Sequence, residues 1–144
     1  VAGALLLLVA EFVTVREIHA VTVVPPGGTS TGSDLHSYAL GIIGLAMLPM
    51  AHGAVVRRAR PAAVAVIVLA AAACLIVLFV DRPVLDDTGL IGRTYDLAEA
   101  RPAVGFYLES LGAALSLVGG VWALMLAPRR SRWVTPRERA RTTT

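Results

Sequence analysis

Apolar residues in this chain gather into four long blocks instead of alternating at the short period of a soluble sheet or amphipathic helix. The blocks run over 1–15, 37–56, 61–80 and 102–127. A helix needs about 20 apolar residues to cross a bilayer. The last three blocks meet that length, and the block 61–80 contains no charged residue. The first is shorter, as expected if the native start precedes Val1. A cleaved signal peptide is the alternative, but Ala2 to Ala10 leads into Glu11-Phe12-Val13 without a small-residue cleavage site. The pattern predicts an all-α integral membrane protein, 1–144 forming one membrane domain. The expected architecture is a bundle of four transmembrane helices with short outer loops.

Polar stretches between the blocks set the expected orientation. Arg57, Arg58 and Arg60 link the second block to the third, and Arg129, Arg130, Arg132, Arg137, Arg139 and Arg141 crowd the tail 128–144. The loops 16–36 and 81–101 are net acidic. Arginine-rich segments stay on the cytoplasmic side, so both termini are expected inside a plasma membrane and the acidic loops outside. The pI near 9.8 follows from this asymmetry, so no nucleic-acid partner is expected. The tail is also suited to touching anionic headgroups.

Local signals fill in the loops. His19 to Val24 reads as a short strand, followed by a turn-rich run from Pro25 to Ser33. Tyr95 to Ala100 reads as a short helix. Pro61 and Pro102 suit the first turns of the third and fourth spans, while Pro49 interrupts the second. Asp87-Thr88-Gly89 matches the aspartic-protease tripeptide, but one copy in a short loop reads as a turn. Tyr107, Trp122 and Trp133 suit interfacial anchors.

Small residues mark helix faces. Gly112, Ser116 and Gly120 recur every four residues in the last span, and Gly41 and Gly44 sit in the second. In lipid such faces let backbones approach closely, either closing the bundle or docking a second copy or a larger complex.

Ionisable residues inside a span are costly and mark function by default. Glu11, Glu109 and His52 are the three candidates. Glu11 and Glu109 fall at similar depth toward the outer side, positioned to bind a cation, share a proton, or pair with Arg16 and Arg101. Glu17-Ile18-His19 and Asp34-Leu35-His36 open and close the first outer loop. If the two pairs converged, Glu17, His19, Asp34 and His36 would form a ligand set that zinc accepts. Asp86, Asp87, Asp96 and Glu99 make an acidic cluster without EF-hand spacing.

Composition narrows the rest. The chain is 56% hydrophobic with a mean hydropathy of +0.72, above the roughly 45–50% of soluble domains. All thirteen basic residues are arginine, consistent with a high-GC genome. Cys74 is the lone cysteine, so the outer loops are ordered without an internal disulfide. No cofactor motif is present.

Thr31-Gly32-Ser33-Asp34-Leu35 entering a small-residue span, the Arg-rich inner link, and Gly105-Phe106-Tyr107 leading to the Gly112–Gly120 face resemble small four-span actinobacterial membrane proteins of the tryptophan-biosynthesis-associated type. That resemblance implies four spans and no catalytic residues. The layout is also similar to claudin-like tetraspans, without their paired cysteines or Trp-containing loop signature. The leading expectation is a non-enzymatic accessory or scaffold protein that packs with itself or with a larger membrane complex. The alternative is a small transporter or channel subunit using intramembrane carboxylates. A membrane enzyme is the third class, supported only by the loop acids and histidines.

Overall fold

The computed structural model describes residues 1–20, 25–85, 87–94 and 97–128. The arginines of the tail beyond 128, Trp133, Val21 to Val24, Asp86, Tyr95 and Asp96 lie outside the described residues.

Helix α1 (Ala2–Ala10) is followed by strands β1 (Thr14–Ala20) and β2 (Thr29–Thr31), then the short helix α2 (Gly32–His36). The long helices α3 (Ala39–Val56) and α4 (Arg60–Ile76) come next. A π-helical turn (Val77–Asp81) extends α4 into α5 (Arg82–Val84). Helix α6 (Gly89–Thr94), strand β3 (Ala98–Pro102) and the long helix α7 (Val104–Leu126) follow among the described residues. The protein is mostly helical. Three of its helical stretches, Ala39–Val56, Arg60–Thr94 and Val104–Leu126, are long and apolar enough to cross a membrane.

Helix α1 packs against α3 and α7, and α4 packs against the same two, so the four helices form a closed ring. Small residues face inward: Ala4, Ala51, Ala70, Ala73, Ala113 and Gly112 are buried. Large apolar residues face outward, with Phe79 73% and Met125 76% exposed. This inside-out distribution suits a lipid surround, where backbones associate by close contact and side chains meet acyl chains.

The glycine faces are used within this ring. A Cβ on Gly112 would lie 2.9 Å from the Gly3 carbonyl oxygen and 3.0 Å from the Leu7 nitrogen. One on Gly44 would lie 2.7 Å from the Ala4 oxygen. Gly120 meets Ile67 of α4, and Ser116 is buried on the same face of α7. Gly41 makes room for the Glu11 side chain.

Strand β1 is the centre of a three-stranded antiparallel sheet in the order β2-β1-β3. Val15 and Ile18 are its buried residues. A bulge between Thr14 and Arg16 in the β2 register accounts for their spacing.

Several sequence expectations shift. The first block is helical only to Ala10 and spans nine residues, about 14 Å of helix, instead of running to Val15. Val13, Thr14 and Val15 are β-branched and favour the strand that begins there. The expected strand at His19 thus begins at Thr14. Of the segment expected as a helix, Tyr95 to Ala100, the residues from Ala98 onward instead belong to β3, because Ala98 to Pro102 pair with β1. The helical turn lies earlier, in α6. Pro102 ends that edge strand and α7 starts at Val104. Pro61 does sit in the first turn of α4. The third block does not stop at Val80, since the π turn carries the helix through Asp81. Pro83 cannot donate a backbone N–H to the preceding turn, which suits a widened turn at this point.

Candidate functional site

Four side chains from four separate segments meet where the bundle joins the sheet. Glu11 caps the C-terminus of α1, where the chain leaves for β1. His36 ends α2. Asp81 closes the π turn. Glu109 lies on the buried face of α7 with Gly105, Gly112 and Ser116.

Both nitrogens of the His36 ring face carboxylates. Nδ1 lies 3.5 Å from Glu11 Oε2, and Nε2 lies 3.5 Å from Glu109 Oε1 and 3.6 Å from Asp81 Oδ1. Glu11 is 1% exposed, Asp81 and Glu109 are 0%, and the His36 side chain is 5%. None of their side-chain nitrogens or oxygens has a hydrogen-bond partner among the described residues.

Local structure explains how His36 is presented. Asp34 Oδ2 accepts the Thr31 backbone N–H at 2.9 Å and the Thr31 hydroxyl at 2.7 Å, fixing the start of α2. These bonds hold the Asp34 carboxyl below its ordinary pKa. The Ser33 N–H donates to the Glu11 carbonyl at 3.2 Å, tying α2 to the end of α1. Ser37 and Tyr38 then adopt left-handed backbone, φ 51° and 67°, and turn the chain into α3. A non-glycine residue in that region carries strain of about 1–2 kcal/mol. Such strain persists where surrounding structure over-determines it, often at ligand sites.

Two glycines create space. A Cβ on Gly32 would stand 2.9 Å from Glu109 Oε1 and 2.9 Å from Glu11 Oε2. One on Gly41 would stand 3.1 Å from Glu11 Cγ. The acids therefore occupy volume that ordinary side chains would fill.

Burial opposes a charged imidazolium at His36, but the adjacent Glu109 and the charges of Asp81 and Glu11 outweigh it and raise the His36 pKa. Three buried carboxyls without hydrogen-bond partners among the described residues are unfavourable as free charges, and either protons held on them or a bound cation relieves that cost. Glu11, His36 and Glu109 each offer a ligand atom within 4.8 Å of the others, a grouping that can hold a metal ion.

The other sequence candidates fall elsewhere. Glu17 and His19 pair with each other at 3.3 Å on β1, half-exposed. Asp34 caps α2. The four loop residues Glu17, His19, Asp34 and His36 therefore do not converge, because strand alternation and the α2 turn send His36 alone inward. His52 is exposed on α3. Neither expected arginine reaches the acids. Arg16 Nη1 donates to the Val84 and Asp87 carbonyls at 3.1 and 3.0 Å, and its Nη2 to Ser30 Oγ at 3.2 Å. Arg101 pairs with exposed Glu99 at 2.9 Å. Asp87 Oδ1 accepts the Gly89 N–H at 2.8 Å, the turn expected for that tripeptide.

Asp81, expected in the second outer loop, instead joins the buried cluster. A signal for it exists. Ala63, Val66, Ala70, Ala73 and Val77 form the buried stripe of this helix, and one further step of four reaches Asp81. An apolar cavity of about 100 Å³ lies away from the cluster, lined by residues such as Ala4, Met47, Ala51 and Val66.

No family model, curated protein or solved structure matches this chain.

Proposed function

We propose that this chain is a small polytopic plasma-membrane protein that binds a cation in the buried cluster at the outer end of its bundle. The role is non-enzymatic and belongs with transporter or channel subunits more than with inert scaffolds. One observation carries the reading: three fully buried carboxylates converge on a single histidine with no other partner among the described residues. A scaffold has no need of such a centre, and replacing a buried ionic group by packed apolar residues is often neutral or stabilising. The glycine faces that suggested docking are occupied by contacts inside the chain. In this reading α1 is the fourth element of the membrane bundle. The cluster faces outward, and Arg57, Arg58 and Arg60 mark the cytoplasmic end.

Thermal unfolding of the purified protein in lipid nanodiscs tests this. The panel is Na⁺, K⁺, Ca²⁺, Mg²⁺, Mn²⁺, Zn²⁺ and protons between pH 5 and 8. A ligand that binds only the folded state raises the unfolding temperature progressively with its concentration. At least one cation of the panel is expected to do so, and Glu109→Gln to abolish the effect. Indifference to every ion and to pH would remove the reading.

A further inference from the structure

The cluster's donor set narrows the kind of cation. We infer that Glu11, His36 and Glu109 form the binding site of a divalent first-row transition-metal ion, with Asp81 as the third carboxyl beside the same centre. This rests on the cation-binding reading above and commits it to one chemical class.

Distance is the first argument. Good N–H···O hydrogen bonds fall at 2.7–3.2 Å. His36 stands 3.5 Å from both Glu11 Oε2 and Glu109 Oε1 and 3.6 Å from Asp81 Oδ1, and none of these contacts qualifies as a hydrogen bond. Two ligand atoms each about 2.0–2.2 Å from one tetrahedral ion are separated by roughly 3.3–3.6 Å. The contacts are too long for an ion-pair knot held by hydrogen bonds, while one ligand atom each of Glu11, His36 and Glu109 lie within 4.8 Å of one another, close enough to share an ion.

Charge is the second. A divalent ion compensates two ionised carboxylates beside a neutral His36, the form that ligates, where a monovalent ion compensates only one.

Donor chemistry is the third. Ca²⁺ and Mg²⁺ take oxygen ligands, and an imidazole at the heart of the site adds nothing for them. Carboxylates with one imidazole suit Zn²⁺, Mn²⁺ or Fe²⁺. Whichever ring nitrogen binds the ion, the other faces a carboxylate oxygen at about 3.5 Å. That pairing is the usual outer arrangement of metal-bound histidines.

Space is the fourth. Gly32 and Gly41 remove the side chains that would push the acids apart. The π turn, a form frequent at functional sites, delivers Asp81 to the same point.

The test uses the full chain in nanodiscs. Metal-stripped protein is incubated with Zn²⁺, desalted and analysed for retained metal. In parallel, Co²⁺ is titrated and its visible absorption recorded. The expected result is about one Zn²⁺ per chain and an intense Co²⁺ spectrum typical of a low-symmetry site with mixed nitrogen and oxygen donors. Glu11→Gln, His36→Gln and Glu109→Gln should each weaken affinity by about 100-fold or more, and Asp81→Asn by about 10–100-fold. If wild type retains no Zn²⁺ and gives no Co²⁺ spectrum, the metal site is overturned. Binding that persists unchanged in folded Glu109→Gln and His36→Gln overturns it as well. The wild-type measurements decide the matter even if a variant fails to fold. Stabilisation by Na⁺ or protons without Zn²⁺, Mn²⁺ or Co²⁺ binding overturns the metal class and leaves the broader cation reading standing. Indifference to all of them ends both.

Discussion

Gly32 and Glu109 stand so close that a single added methyl on the glycine would lie 2.9 Å from Glu109 Oε1. The same methyl would lie 2.9 Å from Glu11 Oε2, so position 32 separates or admits the two acids. Gly32→Ala is expected to displace both carboxylates, whose flexible ends it meets at 2.9 Å, with a smaller adjustment where it meets the Glu11 Cα at 3.1 Å. Overpacking of this kind costs about 1–3 kcal/mol. The measurement is unfolding with and without the stabilising cation. The cation-dependent increment should disappear while the cation-free protein stays folded. An undiminished increment would show that Gly32 does not gate the centre.

Gly112 and Gly119 lie two turns apart on α7 and should respond oppositely to alanine. Gly112 abuts the α1 backbone, whereas a Cβ on Gly119 meets nothing within 4 Å. Gly112→Ala must push α1 from α7 and should destabilise by about 1–3 kcal/mol. Gly119→Ala should be neutral or gain about 0.5–1 kcal/mol from helix propensity. Equal effects in denaturation assays would contradict the α1–α7 contact.

Ser37 follows His36 in left-handed backbone at φ 51°. Ser37→Gly should relieve strain and stabilise the fold by about 1 kcal/mol. Ser37→Val should destabilise it, because a β-branched residue tolerates this region poorly. A destabilised glycine variant in chemical denaturation would mean that the turn is not strained.

Asp34 supplies a pH dependence of known sign. Its pKa is lowered by its bonds to the Thr31 N–H and hydroxyl. The stabilisation is therefore fully present above the ordinary Asp value of 3.8 and is lost as pH falls through the lower folded value. Asp34 is exposed, so the effect is local. Hydrogen exchange at the Thr31 amide, compared at equal intrinsic exchange rate, should accelerate on acidification through that range. Asp34→Asn should show no such acid step.

Much of this organisation was legible from residue order, and the exceptions have physical causes. Three apolar stretches of membrane length declare themselves because lipid-facing side chains need no partner. Glu11 and Glu109 drew attention because charge is costly there. Asp81 is hidden because the apolar run ends at Val80, although the buried stripe through Ala73 and Val77 continues to it. His36 was seen in the company of Asp34, yet one residue caps a helix and the other points inward. Periodicity does not reveal such a division in a five-residue helix. The start of β1 was hidden because Val13 to Val15 suit a membrane block and a strand equally well. The pairing of β3 with β1 joins residues far apart in the chain, which local propensity does not encode.

The order of the four segments has a consequence for biogenesis. Glu11, His36 and Asp81 are synthesised well before Glu109, which belongs to α7. Until α7 docks, the early segments hold two acids and a histidine in a half-built bundle with nothing to complete their grouping. Closing the centre is thus a late, long-range event, and loop-closure entropy must be overcome before its contacts form. An insertion intermediate arrested before α7 should be hydrated around Glu11 and exposed to quality-control proteases. Only once α7 has arrived can the grouping close and leave water.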